Sequence, residues 1–234
     1  MIVGAVVCPG APLLVPGVAQ RLAAESADLI AACDRAVQGL AGVDRIVLIS
    51  AGRGATARLF AAGTEVSASP LRRSDRPPRS GPSTAFAVGS IVGRALLDRT
   101  FPDGIPAPVL MVETGDDPAV ARSAIDNDVG PDRTGLLVIA DGAATHGDHA
   151  PGRRDDRSVH FDDTLAEALA AGDPEGLRRA CADRDLAGQL LAVTEPLLIL
   201  ADLTTADPPS AGELLYRGTP YGVGYVVASW RWAR

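Results

Sequence analysis

Four short stretches of this chain are almost wholly apolar: IVGAVVC at 2–8, RIVLIS at 45–50, APVLMVE at 107–113 and TGLLVIA at 134–140. None shows the apolar–polar alternation of a strand with one wet face. A short continuous apolar run reads instead as a strand covered on both faces. The segments between the runs carry a different period. Over about 17–40, Val18, Leu22, Leu29, Ala32, Cys33, Ala36 and Leu40 recur at helical spacing, with Gly42 as a stop. A second helix is predicted at about 84–98, capped by Ser83, with Phe86, Ile91, Val92, Ala95 and Leu96 on its apolar face. Asp117-Pro118 opens a third, which ends near Asn127 or Gly130. Strands that alternate with helices predict an α/β fold with a mixed, mainly parallel sheet covered by helices. The first crossover should be right-handed.

The rest of the chain continues the pattern and then departs from it. FDDTLAEALAAGD at 161–173 predicts a helix. Asp173-Pro174 opens another to Ala182, and a further helix covers 185–203, with Pro196 as a candidate break. In the tail, GELLYRG and YGVGYVVASW flank a turn at Thr219-Pro220, which predicts a pair of antiparallel strands. Residues 69–82, rich in Pro, Ser and Arg, predict a long loop. Its Arg72, Arg73, Arg76 and Arg79 suit either a solvated loop or a lid for phosphate or carboxylate. At roughly 100–200 residues per domain, residues 1–234 should form one domain. Aromatics are only 4 % of the chain, so Ala, Val, Leu and Ile must fill the core.

Charge and cysteines narrow the setting. Twenty-nine acidic against 22 basic side chains leave a net charge of −7, which argues against nucleic acid as a partner. Cys8, Cys33 and Cys181 cannot all pair within one chain, and their spacing matches no metal cluster. Reduced thiols in a cytoplasmic protein are expected. The start has no basic segment before its apolar run, and no stretch holds 18 consecutive apolar residues, so neither signal peptide nor membrane span is expected.

The residues that could carry chemistry gather at predicted strand ends. His146, His149 and His160 all fall in one polar segment after the run at 134–140. Imidazoles at that spacing could hold a metal with Asp141, Asp148, Asp155 or Asp156, serve in acid–base chemistry, or simply sit in a loop. Asp141 ends a strand beside Gly142 and could orient a substrate or a catalytic group. It could equally cap a turn. Cys8 is a core thiol or a nucleophile, and Glu113 a solvated carboxylate, a metal ligand or a base. Gly222-Val223-Gly224-Tyr225 could line a pocket or pack at a glycine bulge. AGRGATARLF, after the second run, lacks the Lys-Ser/Thr ending of a P-loop.

Three separated segments, CPGAPLLVPG at 8–17, LLVIADGAATHGDHAPG at 136–152 and YRGTPYGVGYVVA at 216–228, together resemble the class III extradiol ring-cleavage dioxygenase superfamily. FDDTLAEALAAGDPEGL is similar to that family's helix pair, and the likeness runs over most of the chain. The resemblance implies a site that, in active members, holds non-haem Fe(II) on two histidines and a glutamate and cleaves a catechol ring with O₂. On this sequence the two histidines fall at Gly10 and Gly52 and the glutamate at Arg217, while the acid–base histidine falls at His146 with one residue inserted. Glycine offers no ligand and arginine no acceptor. The resemblance therefore implies a divergent, iron-free member that binds a small molecule or a protein, with Asp141 and His146 as candidate catalytic residues. Gly10, Gly52, Arg217 and Tyr225 are the candidate substrate-binding residues. The alternative is an oxidoreductase or hydrolase with a rebuilt Fe(II) or Zn(II) site on His146, His149 and His160. Relatives often assemble as oligomers, so a homo-oligomer is a further expectation.

Overall fold

Successive side chains of a strand point to opposite faces, so a strand without polar alternation must be packed on both. The computed structural model, which describes residues 1–18, 26–52, 56–61, 63–66, 71, 86–115, 117–128 and 130–233, shows this arrangement. Strands β1 (Ile2–Cys8), β2 (Arg45–Ala51), β4 (Val109–Thr114) and β5 (Thr134–Ile139) run parallel in the order β4-β2-β5-β1. On β5, Leu136 and Val138 face one core while Leu137 and Ile139 face the other, and β1 divides Ala5 and Val7 from Val6 and Cys8 in the same way. Each such Leu, Ile or Val contributes roughly 1.5–3 kcal/mol by leaving water.

Helices α1 (Ala27–Gln38) and α2 (Val88–Thr100) cover one face, with Leu29, Cys33, Ile91 and Leu96 buried against it. Helices α3 (Pro118–Asp128), α4 (Arg157–Ala171) and α7 (Glu195–Thr204) cover the other with Ile125, Leu165 and Leu200. Two shorter helices, α5 (Pro174–Ala180) and α6 (Arg184–Gln189), lie between α4 and α7 in the chain. The sheet is extended antiparallel on both sides. Strand β3 (Arg58–Phe60) joins β4, while β7 (Tyr225–Arg231) joins β1 and is paired in turn by β6 (Ala211–Gly218). The indole N–H of Trp230 donates to the Leu169 carbonyl at 2.7 Å, tying β7 to α4.

The α/β class, the mainly parallel sheet and the antiparallel tail are as expected from the sequence. Several boundaries differ. The helix expected over 17–40 is described from Ala27, and residues 19–25 lie outside the described part. The helix expected from Ser83 begins at Val88. Ser83 and the four arginines at 72–79 also lie outside the described residues. The helix expected over 185–203 is two helices. Pro196 has no N–H to give and sits in the first turn of α7, where none is needed, while Leu191 turns the chain with φ 54°. Strand β3 was not expected, because three residues are too few to show a period. Among the described residues no helix is long and apolar enough to cross a membrane.

Candidate functional site

In an open parallel sheet, ligands bind beyond the carboxyl ends of the strands, where successive connections diverge. Here the chain leaves β2 toward β3 and β4 on one side, whereas it leaves the adjacent β5 toward β6 and β7, beyond β1, on the other. A cleft of about 250 Å³ lies at this place. Gly10, Gly52 and Asp141 line it from the strand ends, Ala87, Val88 and Gly89 from the start of α2, and Ala51, Ile139 and Val193 supply apolar wall.

Asp141 is the ionisable group among the described residues of that lining. Its backbone bridges to Val193, whose N–H donates to the Asp141 carbonyl at 2.9 Å. Its side chain accepts the N–H of Gly10 on Oδ1 at 2.9 Å, whereas Oδ2 has no hydrogen-bond partner among the described residues. Burial pushes the carboxyl from 3.8 up to about 6, opposed by the Gly10 hydrogen bond. Residue 10 has no room for a side chain, since a Cβ would stand 2.9 Å from Asp141 Oδ2. Residue 52 has still less, because a Cβ would overlap the Thr114 carbonyl oxygen, which accepts the Gly52 N–H at 2.9 Å.

Glu113 is not the solvated carboxylate that the sequence favoured. It is fully buried at the end of β4 and braces the cleft wall from behind. Its Oε1 accepts the Ala87 N–H at 2.6 Å and the Ser90 hydroxyl at 2.8 Å, and its Oε2 accepts Arg58 Nε at 2.9 Å and also Arg58 Nη2. The Ser90 hydroxyl also meets Ser50 at 2.9 Å. This network sets where α2 begins relative to β2. No sequence signal marked Arg58 as its partner, because β3 was itself invisible.

His146 belongs to a separate cluster. Its Nε2 lies 2.5 Å from Asp162 Oδ2, and Asp162 Oδ1 accepts the Ala143 N–H at 2.9 Å. Burial raises the Asp162 pKa, while the Ala143 and His146 hydrogen bonds and the charge of Arg217 hold it down. Gly142 and Gly224 make room for this carboxylate, since a Cβ at either would overlap it. The sequence did carry a sign of it. Asp162 stands three, four and seven residues before Leu165, Ala166 and Leu169, a charge on an apolar stripe. Asp141 and His146 are thus not brought together. Asp141 turns to Gly10, and the neighbouring Gly142 faces Asp162.

The remaining candidates are placed as follows. Gly10 and Gly52 line the cleft. Tyr225 is buried and is not in the described cleft lining, and burial, with the Asp141 charge adding to it, raises its phenol pKa. Arg217 is exposed on β6 and ion-paired with Asp163, outside the cleft lining. His149 and His160 are exposed and do not join His146. Among the described residues no three His, Cys, Asp or Glu side chains converge as a metal would need. The iron set that the resemblance would imply does not fit either. Two of its positions are glycines with no space for a side chain, and the third is an arginine held by Asp163. Cys8 is a core thiol, fully buried on α1's side of the sheet, with its pKa raised by hydrogen bonding to Cys33 and then by burial.

No protein-family model matches this sequence, and no curated protein matches it. Among solved structures, the chain is similar to the uncharacterized protein JW3007 from Escherichia coli K12. Their TM-score is 0.54 at 14 % identity, over 97 % of this chain and 99 % of that one. At that identity the likeness shows the fold alone, although it takes in nearly the whole of both chains.

Proposed function

We propose that this protein is a divergent, iron-free relative of the class III extradiol dioxygenases that binds a small molecule in the cleft at Asp141. The observation that carries the reading is the state of that carboxyl. One oxygen is held by the Gly10 N–H, while the other borders the cleft without a partner among the described residues. A pKa of about 6 lets the group accept a hydrogen bond or exchange a proton near neutral pH. The cleft volume of about 250 Å³ is below the usual range for drug-sized ligands and suits a metabolite of a few heavy atoms. His146, held by Asp162, serves in this reading to fix the loop from Asp141 to His146 rather than to meet the ligand. The three buried free thiols fit a cytoplasmic setting.

The test is a screen of small polar compounds by amide NMR, on wild type and on Asp141→Asn. Saturable shifts at Gly10, Gly52 and Gly89 that weaken in the variant support the proposal. Saturable binding that avoids these residues, or stoichiometric Fe(II) binding with ring cleavage, overturns it.

A further inference from the structure

The cleft has two polar ends, and their chemistry differs. At one end stands Asp141 Oδ2, an acceptor without a partner among the described residues. At the other end α2 begins, a helix of 13 residues whose first-turn N–H groups have no acceptor within the helix. Glu113 takes the Ala87 N–H, and Arg58 matches the charge of Glu113. The donors left at the cleft lining are the backbone N–H groups of Val88 and Gly89, which have no hydrogen-bond partner among the described residues. A helix start with open N–H groups attracts an anion, most of all a carboxylate or phosphate. The floor between the two ends is narrow. A Cβ at Gly10 would lie 3.4 Å from Ile139 Cγ2, and a Cβ at Gly89 would lie 3.3 Å from that same methyl group. A ligand that reaches both ends therefore needs only a few bonds between them, and Ala51, Ile139 and Val193 offer its carbon skeleton apolar contact.

We propose that the ligand is a small carboxylic acid bearing a hydroxyl or ammonium group on the carbon next to its carboxylate. The carboxylate accepts the Val88 and Gly89 N–H groups, and the hydroxyl or ammonium donates to Asp141 Oδ2. A phosphate ester is disfavoured, because its second negative charge would meet Asp141 without a cation among the described lining residues. This inference rests on the small-molecule reading of the cleft and adds the ligand's class to it.

Four probes on one skeleton test it: 2-hydroxybutanoate, 2-aminobutanoate, butanoate and butan-2-ol, each titrated by amide NMR into the full chain at pH 7. Either of the first two should bind at the cleft about tenfold or more tightly than butanoate or butan-2-ol, as the loss of a charge-assisted hydrogen bond implies. Val88→Pro removes one N–H at the first helical position, where proline is tolerated, and Ala87 before it is already extended with ψ 155°. That variant should weaken the acid probes about tenfold and leave butan-2-ol unchanged, whereas Val88→Ala, which keeps the N–H, should retain the preference. Butan-2-ol binding the cleft as tightly as the acids, or Val88→Pro leaving acid binding unchanged in a folded protein, overturns the inference and leaves the small-molecule reading standing. If no probe shifts the cleft, the inference fails. A wider screen that also leaves the cleft silent would then sink the small-molecule reading too.

Discussion

Asp141→Asn should make this protein more stable above neutral pH, although it removes the charged group of the proposed site. The folded carboxyl titrates at about 6 against a reference of 3.8. Below pH 4 the group is protonated in both the folded and unfolded chains and costs nothing. Between 4 and 6 the unfolded chain ionises while the folded one does not, so stability falls as pH rises. Above 6 the full cost is present, on the order of 3 kcal/mol for a shift of this size. Because Asp141 is only half-buried, we expect about 2 kcal/mol in practice. Asparagine keeps an oxygen for the Gly10 N–H, and its amide can reach water through the cleft. Urea unfolding of both proteins at pH 4 and pH 8 measures the effect. The variant should gain about 2 kcal/mol over wild type at pH 8 and nearly nothing at pH 4. An equal gain at both pH values, or a loss at pH 8, would refute the argument that burial raises this pKa. A gain confined to high pH would mean that the fold keeps a costly carboxylate where an amide would be more stable, as functional sites do.

Other outcomes follow from the same geometry. Gly52→Ala should cost about 3 kcal/mol or prevent folding, because its Cβ meets a backbone oxygen that cannot move aside; urea midpoints at equal m-value would show it. Glu113→Ala should cost roughly 3 kcal/mol, since the Ala87 N–H and the Ser90 hydroxyl lose an acceptor beside a buried gap, and Arg58→Met should cost a similar amount, because it leaves the fully buried Glu113 Oε2 without its donors and counter-charge. Gly224→Ala should displace Asp162 and free His146, seen as a changed imidazole ¹⁵N spectrum in which Nε2 loses its carboxylate partner. Cys8, Cys33 and Cys181 should resist a thiol reagent in the native protein and react fully in urea. All three are buried, and burial pushes the Cys181 thiol up to about 12.

Much of the fold was legible in short range. Apolar runs at 2–8, 45–50, 107–113 and 134–140 became β1, β2, β4 and β5, because a strand packed on both faces has no polar positions to disguise it. The Asp117-Pro118 start of α3 was equally plain, with Asp117 Oδ1 accepting the Ala119 N–H at 2.9 Å. The site was legible only as a set of strand-end residues. Asp141 was marked as a strand-end carboxylate and Gly10 and Gly52 through the resemblance, and these three line one cleft, whereas Arg217 and Tyr225 are not in its lining. Val88, Gly89 and Val193 were missed, since a backbone N–H or an apolar wall residue looks like any other helix or loop position.

The sequence by itself determined the α/β class, the parallel core and the antiparallel tail, because hydrophobic period and strand length are local properties. Only the tertiary structure decided what each ionisable group does. Glu113 became a buried brace with Arg58, Asp162 the partner of His146, and Asp141 a carboxyl of raised pKa beside a cleft. These roles depend on which residues lie within a few ångströms across 16, 55 or 131 positions of chain. Desolvation and hydrogen bonding act over such distances in space, and nothing in the order of residues encodes them one by one.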